Sequence, residues 1–379
     1  MNETKQSSSV YGHPRVALTG VNDSVYAAVV KATGDLGTQF INPGDAVLIK
    51  PNLVNPNPPE SGQITSPRLI EAAVKYCQAN GAGRVIIGEG PGTYNRKADL
   101  KDCFTTTGVS ELAERLGVEW VLFDEHDFRT FRNVSDCTPD SFRVTQYAFE
   151  CDKIINLPVL KTHYLTKVTL AMKNLKGCLK WEDKPRFHQP DLSRAVVELN
   201  KLVRPTLNII DALNWQPGGG LLIAGSDIVA VDTVGTALMG INPQEVRTIT
   251  VGAAAGLGEC NIARIDIIGE ELKRLKYKVK LPQELIKQYF PLLEIIGAER
   301  SCSGCLIPVV SVLMQLGEQG KRIKQPATVY LGKNNPAPQG NFVLVGDCAH
   351  QDGIGSECQV TGCAPDRQTV YEKLQQMMS

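Results

Sequence analysis

Through the first 270 residues, short runs rich in valine and isoleucine alternate with stretches of helical period, and few architectures accept that rhythm. Strand-like runs fall at 16–18, 46–49, 84–87, 120–123, 153–157, 207–210, 221–224 and 265–268. Helix-like stretches fall at 24–33, 67–79, 110–116, 192–202, 228–239 and 243–255, with Pro67 and Pro243 where a first-turn proline is tolerated. Apolar strands separated by helices imply βαβ units: an α/β fold whose largely parallel sheet carries helices on both faces.

In such sheets ligands bind beyond the carboxyl ends of the strands. The residues that follow each strand here share a character. Lys50-Pro51-Asn52 follows the second run, Gly88-Glu89-Gly90-Pro91-Gly92-Thr93 the third, and Asn156 and Lys161-Thr162-His163 the fifth. Asp211, Pro217 and Gly220 follow the sixth. The glycine-rich turn is neither a P-loop nor a dinucleotide fingerprint, because no Gly-Lys-Ser/Thr follows and the glycine spacing is wrong. Lysines concentrate behind Lys161, at Lys167, Lys173, Lys176 and Lys180, with Lys173 and Lys176 on one face of an expected helix. That concentration predicts an anion site, with a solvated helix face as the alternative. Lys50, Asn52, Lys173, Asn174 and Asp211 are its expected binding residues, and His163, Lys161 and Glu89 its expected catalytic ones. His163 reads as an acid–base group or a core histidine, and less readily as a metal ligand. Asp227 reads as a helix N-cap.

Forty basic and forty acidic residues cancel among 379, so no overall field draws the chain to nucleic acid or an anionic membrane. No apolar run is long enough for a membrane helix, and residues 1–9 are polar, unlike a signal peptide. The expected location is the cytoplasm.

In a reducing compartment clustered cysteines are metal ligands or redox groups before they are disulfides. Five of the eleven crowd the end of the chain: Cys302, Cys305, Cys348, Cys358 and Cys363. Cys302-Ser-Gly-Cys305 precedes a helical pattern at 306–316, Cys348 follows a strand-like run, and Cys363 precedes a helix from about 366. Helix N-termini favour thiolates, and Gly304, Gly346 and Gly362 allow close backbone approach. Cys302, Cys305, Cys348 and Cys363 are therefore the expected ligands of a 4Fe-4S cluster. Zinc is the alternative, although one close pair instead of two fits it less well. Cys358, with no flanking glycine, is the spare, and His350 a solvated loop residue. Cys77, Cys103, Cys137, Cys151, Cys178 and Cys260, scattered singly, read as small buried hydrophobes. The chain thus divides into an α/β domain (1–270), a charged helical connector (271–300) and a cysteine-rich α/β module (301–379).

The cysteine module resembles the cluster-binding part of hydrogenase small subunits and the related quinone-reductase subunit. There a paired cysteine, a Gly-x-Cys-Ala turn and a Gly-Cys-Pro-Pro turn hold one four-iron cluster. This chain has Gly346-Asp347-Cys348-Ala349 and Gly362-Cys363-Ala364-Pro365, one proline short and at compressed spacing. From about residue 40 to 270 the chain resembles the uncharacterised family DUF362. The likeness rests on Lys50-Pro51-Asn52, Gly88-Glu89-Gly90, Leu157-Pro-Val-Leu-Lys161-Thr-His163, Met172-Lys173-Asn174-Leu-Lys-Gly177, Ile210-Asp211 and Ser226-Asp227 through Asp232. That resemblance implies an architecture joined to cysteine-rich segments, and names no reaction.

The leading expectation is an iron–sulfur oxidoreductase acting on an anionic small molecule, with electrons exchanged with a redox partner protein. Two others stand beside it: an electron-transfer or scaffold protein without chemistry of its own, and a non-redox enzyme of racemase or isomerase type with structural zinc.

Overall fold

The computed structural model describes residues 12–53, 58, 61–90, 92, 97–188, 191–216 and 219–378. Pro91, Thr93 and Pro217, named above, and residues 1–9 lie outside them.

All eight expected strands enter one sheet, in the order Asp266–Gly269, Arg15–Gly20, Leu221–Gly225, Leu207–Ala212, Lys153–Asn156, Ala46–Lys50, Arg84–Glu89 and Glu119–Leu122. Only Leu221–Gly225 runs against its neighbours; every other pairing is parallel. The side-chain period of two divides the apolar residues between two cores. Val47, Ile49, Val85 and Ile87 face the helices Val25–Leu36, Pro67–Ala79 and Val109–Leu116. Leu48 and Ile86 face the opposite core, with Leu192–Leu202, Ile228–Leu238 and Arg247–Ala254. Helix starts are marked as the sequence suggests. Ser66 caps the helix that Pro67 opens, and the Asp227 carboxylate accepts from the Ala230 N–H at 2.8 Å.

A second, all-parallel sheet joins Leu293–Ile296, Ala327–Leu331, Asn341–Val345 and Gln359–Val360. The helices Ser303–Glu318 and Arg367–Gln376 share its core. Leu293–Ile296 lies in the stretch expected to be helical connector. That stretch does hold the helices Leu272–Leu275 and Pro282–Tyr289, but Leu293–Ile296 forms a strand before a closing 3-10 turn at Ala298–Arg300. Glu294 interrupts the apolar pattern, and only pairing with Ala327–Leu331 makes the segment extended. Two hairpins are also absent from the pattern, Phe128–Arg132 with Ser141–Thr145 and Lys161–His163 with Lys167–Thr169. The second turns Lys161-Thr162-His163 from a loop into a three-residue strand. Tyr164 and Leu165, at its tip, pack against the core of the small sheet. Among the described residues no helix is long and apolar enough to cross a membrane.

Candidate functional site

Three adjacent strands end on chemistry-bearing residues. The parallel register sets Lys50 opposite Asn156, and the next strand over ends at Glu89. Lys50 is wholly buried and Glu89 is 1% exposed; their ammonium and carboxylate meet at 2.6 Å. The pair is closed on itself. Lys50 Nζ also donates to the Pro51 carbonyl (2.6 Å), and the Glu89 oxygens accept the N–H groups of Leu53 (3.1 Å) and Gly90 (2.9 Å). A buried pair is tolerable only with such complete bonding. Gly177 lies against it: a Cβ there would stand 2.5 Å from Lys50 Nζ and would overlap Glu89 Oε1.

Beside this pair runs a chain of buried amides. Lys161 Nζ donates to Asn52 Oδ1 (2.8 Å), Asn52 Nδ2 to Asn174 Oδ1 (2.8 Å), and Asn174 Nδ2 to Asn156 Oδ1 (2.8 Å). Asn156 Nδ2 then donates to Asn208 Oδ1 (2.9 Å), its neighbour across the ladder. Every amide thus turns its carbonyl toward the Lys161 ammonium, and the four bonds reinforce one another. The Asp232 carboxylate accepts the N–H groups of Ala171 (2.7 Å) and Met172 (3.1 Å), anchoring the turn that carries Lys173 and Asn174. Burial pushes its carboxyl up to about 7.

Above this floor opens a pocket of about 660 Å³, lined by Asn52, Glu89, Lys161, His163, Lys173, Asn174, Lys176 and Lys184. Lys173 and Lys176 share a face as their spacing predicts. Three of these lysines meet neutral groups: Lys161 meets Asn52 Oδ1 and the Gln63 carbonyl, Lys173 the Thr169 hydroxyl (3.4 Å), and Lys176 the His188 Nε2 (2.9 Å). Burial lowers all four ammonium groups: Lys161 and Lys184 to about 8, Lys176 to about 7, and Lys173 well down, with nearby lysines adding to the effect. Burial first, then Lys173 and its neighbours, hold His163 well below its ordinary value. Its Nδ1 accepts the N–H groups of Leu165 (3.1 Å) and Thr166 (3.2 Å). The ring is therefore neutral with its proton on Nε2, a hydrogen-bond donor; protonating Nδ1 would set it against two N–H groups.

Two expected residues stand elsewhere. Lys50 lies beneath the pocket and reaches it only through Glu89. Asp211 lines a separate depression of about 440 Å³ with Ser66, Arg68 and Trp215, where it accepts the N–H groups of Ser66 (2.7 Å) and Leu213 (3.0 Å). Glu89 does line the pocket, but its oxygens are committed to Lys50 and to backbone. Sequence reading missed Lys184, Asn156 and Asn208 as site residues. The two asparagines had a visible signal, a polar residue inside an otherwise apolar strand; Lys184 had none.

The helix Ser303–Glu318 forms the remaining wall, with Leu306, Ile307, Val310 and Met314. Cys302 is its N-cap and Cys305 lies in its first turn. Cys305 is buried, Cys302 and Cys358 partly so, and Cys348 and Cys363 exposed. The Cys305 thiol donates to Cys302, which lowers Cys302, helped by the N–H groups of Gly304 and Cys305. Cys305 is raised by that bond, then by burial, then by the charges of Cys302, Cys348 and Cys363. Cys363 is raised by burial and by Cys302 and Cys348. Glycines make room for these sulfurs. A Cβ on Gly346 would overlap Cys305 Sγ, and one on Gly304 would lie 3.3 Å from Cys302 Sγ. Among the described residues no three His, Cys, Asp or Glu side chains close around a single-ion position. Tetrahedral zinc, with Zn–S near 2.3 Å, needs sulfurs about 3.8 Å apart. An iron–sulfur cluster stands between its thiolates and spaces them more widely. Four thiols lie within electrostatic reach of one another in a glycine-lined recess at a helix N-terminus, with Cys302 and Cys305 in hydrogen-bond contact, a soft donor set that suits either group. Of the six scattered cysteines, Cys77, Cys103, Cys137 and Cys178 are buried, and Cys151 and Cys260 partly so.

The molecule is thus an α/β protein with a mostly parallel main sheet and a smaller parallel one. The chain belongs to the DUF362 family, described as a domain of unknown function, whose pattern matches residues 47–237. It is 28% identical over 287 residues to a thylakoid-associated protein of Synechocystis, a match covering 71% of this chain and 82% of that one. Among solved structures, the lactate racemase apoprotein of Thermoanaerobacterium thermosaccharolyticum aligns at a TM-score of 0.37 and 16% identity, covering 61% of this chain. The alignment spans 58% of the racemase, less than two thirds of its length. A Thermotoga maritima protein aligns at a TM-score of 0.35 and 12% identity, covering 83% of this chain and 72% of its own.

Proposed function

We propose that this protein is an iron–sulfur oxidoreductase that holds an anionic small molecule in the lysine pocket, with a 4Fe-4S cluster on Cys302, Cys305, Cys348 and Cys363. One observation carries the reading: cysteine recess and pocket share the helix Ser303–Glu318. Cys305 lies in its first turn, the next residues Leu306 and Ile307 already line the pocket, and pocket Lys176 feels the charge of Cys302. The bound cluster would supply single electrons. The chain's own residues do the rest. Lys161, Lys173, Lys176 and Lys184 neutralise and place the anion, and the His163 Nε2–H donates to an oxygen that gains negative charge. Lys50 and Glu89 keep the floor in shape. Cys348 and Cys363, being exposed, mark the side from which a redox partner protein would reach the cluster.

Anaerobic purification followed by iron, sulfide and zinc analysis tests the cluster directly. Brown protein with about four irons and four sulfides per chain is expected, with a signal in electron paramagnetic resonance after reduction. Cys305→Ser should lose the iron, and Cys358→Ser should keep it. Colourless protein that resists reconstitution, or stoichiometric zinc, would end the redox reading.

A further inference from the structure

The pocket is built from two chemically opposed sources. The large domain contributes cations: Lys161, Lys173, Lys176 and Lys184. The small module contributes a helix face that is largely apolar: Leu306, Ile307, Val310 and Met314, with Ser311, Gln315 and Glu318 beyond. Ile307, Val310 and Met314 are partly exposed to the cavity, and Val310 and Met314 lie at the margin of the small module's core. From Leu306 to Met314 the apolar wall runs about 12 Å at 1.5 Å per residue. A small inorganic anion, or a compact metabolite charged all round, would satisfy the lysines and leave that wall wet.

From this juxtaposition we infer that the natural ligand is an elongated amphipathic anion: a head with at least two negative charges, phosphoryl or carboxylate, and an apolar body lying along the helix Ser303–Glu318. The inference deepens the proposed function by naming its substrate class, and it rests on the same pocket. Lys161, Lys173 and Lys176 meet neutral groups, so a multiply charged head adds the counter-charge they face without displacing a protein carboxylate. Lysines act as point charges and accept either head chemistry. The body needs no polar partner, since Ile307, Val310 and Met314 offer none. At the solvent end, Arg367 donates to Gln315 Oε1 (2.6 Å) and to the Ser311 hydroxyl (3.3 Å), a polar rim where the apolar body would stop.

The test is a titration calorimetry series on the full-length protein, purified anaerobically, with inorganic pyrophosphate, alkyl diphosphates of increasing chain length, alkyl-substituted dicarboxylates and the matching uncharged alcohols. Each methylene laid on the helix should tighten binding about fourfold until the wall is covered. The alcohols should not bind, and whether diphosphate or dicarboxylate binds more tightly decides the head. Met314→Asp should flatten the chain-length dependence while leaving pyrophosphate affinity in place, and Lys173→Met should weaken every charged ligand alike. The series on the unmodified chain stands even if Met314→Asp fails to fold. Alkyl diphosphates and dicarboxylates that bind no better than pyrophosphate and the unsubstituted dicarboxylate would overturn the inference, as would binding of the alcohols. The two proposals fail separately. Iron and sulfide with no chain-length effect removes the amphipathic ligand alone; a chain-length effect without iron or sulfide removes the cluster alone.

Discussion

Lys50 and Lys173 stand in one site, on residues the sequence makes look alike, and differ in what answers their charge. Lys50 is sealed beneath the pocket, with Glu89 at 2.6 Å and the Pro51 carbonyl beside it. Lys173 lines the cavity against the Thr169 hydroxyl, and burial and two neighbouring lysines depress its ammonium. The floor is finished chemistry, every charge met by another part of the chain. On the rim, Lys161, Lys173 and Lys176 meet neutral groups. On the proposed reading, a cation that the protein balances for itself serves the fold, and one that faces neutral groups serves a ligand.

The comparison can be broken most forcefully at the floor. Lys50→Met strands the Glu89 carboxylate and should cost about 3–5 kcal/mol, measured by urea unfolding. Lys50→Met combined with Glu89→Gln should cost clearly less, because no charge is then left alone. Equal losses in the single and the double variant would show that the pair does not act as a unit. Asn156→Leu, which removes the centre of the amide chain, should cost roughly 1–3 kcal/mol by leaving Asn208 Oδ1 and the Ala171 carbonyl without a donor. Gly177→Ala should cost a similar ~1–3 kcal/mol, since its Cβ would stand 2.5 Å from Lys50 Nζ. On the rim the sign changes. Lys173→Met should stay within about 0.5 kcal/mol of the parent or exceed it, while anion affinity falls at least about tenfold. A Lys173→Met protein destabilised as much as Lys50→Met would erase the distinction between floor and rim.

Much of this was legible in the chain, for physical reasons that differ by element. The eight strands of the main sheet are continuous apolar runs because a parallel sheet is buried on both faces, and that burial is written in their composition. Asp227 and Pro67 mark helix starts because capping is local chemistry. The hairpin Lys161–His163 with Lys167–Thr169 left no trace, since three residues cannot display a period. Leu293–Ile296 becomes a strand only through a partner more than thirty residues on. At the site, the sequence located Lys161, His163, Lys173 and Asn174 by their place after a strand, but could not separate Lys50 from them. Floor or rim depends on whether Glu89 sits within reach, and that is a distance. Asp211 follows a strand like the others, yet its strand lies further along the sheet and opens on a different depression. The helix from Leu306 was legible by its period, but its role as the pocket wall had no signal, because packing of one domain on another leaves no local pattern.

The smallest effect is a fraction of a proton, and its sign is fixed. Lys161 and Lys184 are lowered from 10.5 to about 8, chiefly by burial; Glu89 opposes the shift for both and Asp124 for Lys184, while Lys50 adds to it. Between about pH 8 and 10.5 the unfolded chain holds more protons at these lysines than the native one, so raising the pH across that window favours the unliganded fold. An anion in the pocket acts the other way. It returns both ammonium groups toward their ordinary range, so binding near pH 8 must take up protons, and affinity must fall as the pH rises further. Calorimetry of sulfate binding in buffers of different ionisation enthalpy reads this directly, because sulfate carries no proton of its own in this range. Uptake should be measurable near pH 8; toward pH 6 the share of Lys161 and Lys184 fades while Lys176 and Lys173, lowered further, still contribute. Proton release, or none, near pH 8 would mean that the rim lysines already have their counter-charges, and that Lys173 belongs with Lys50 after all.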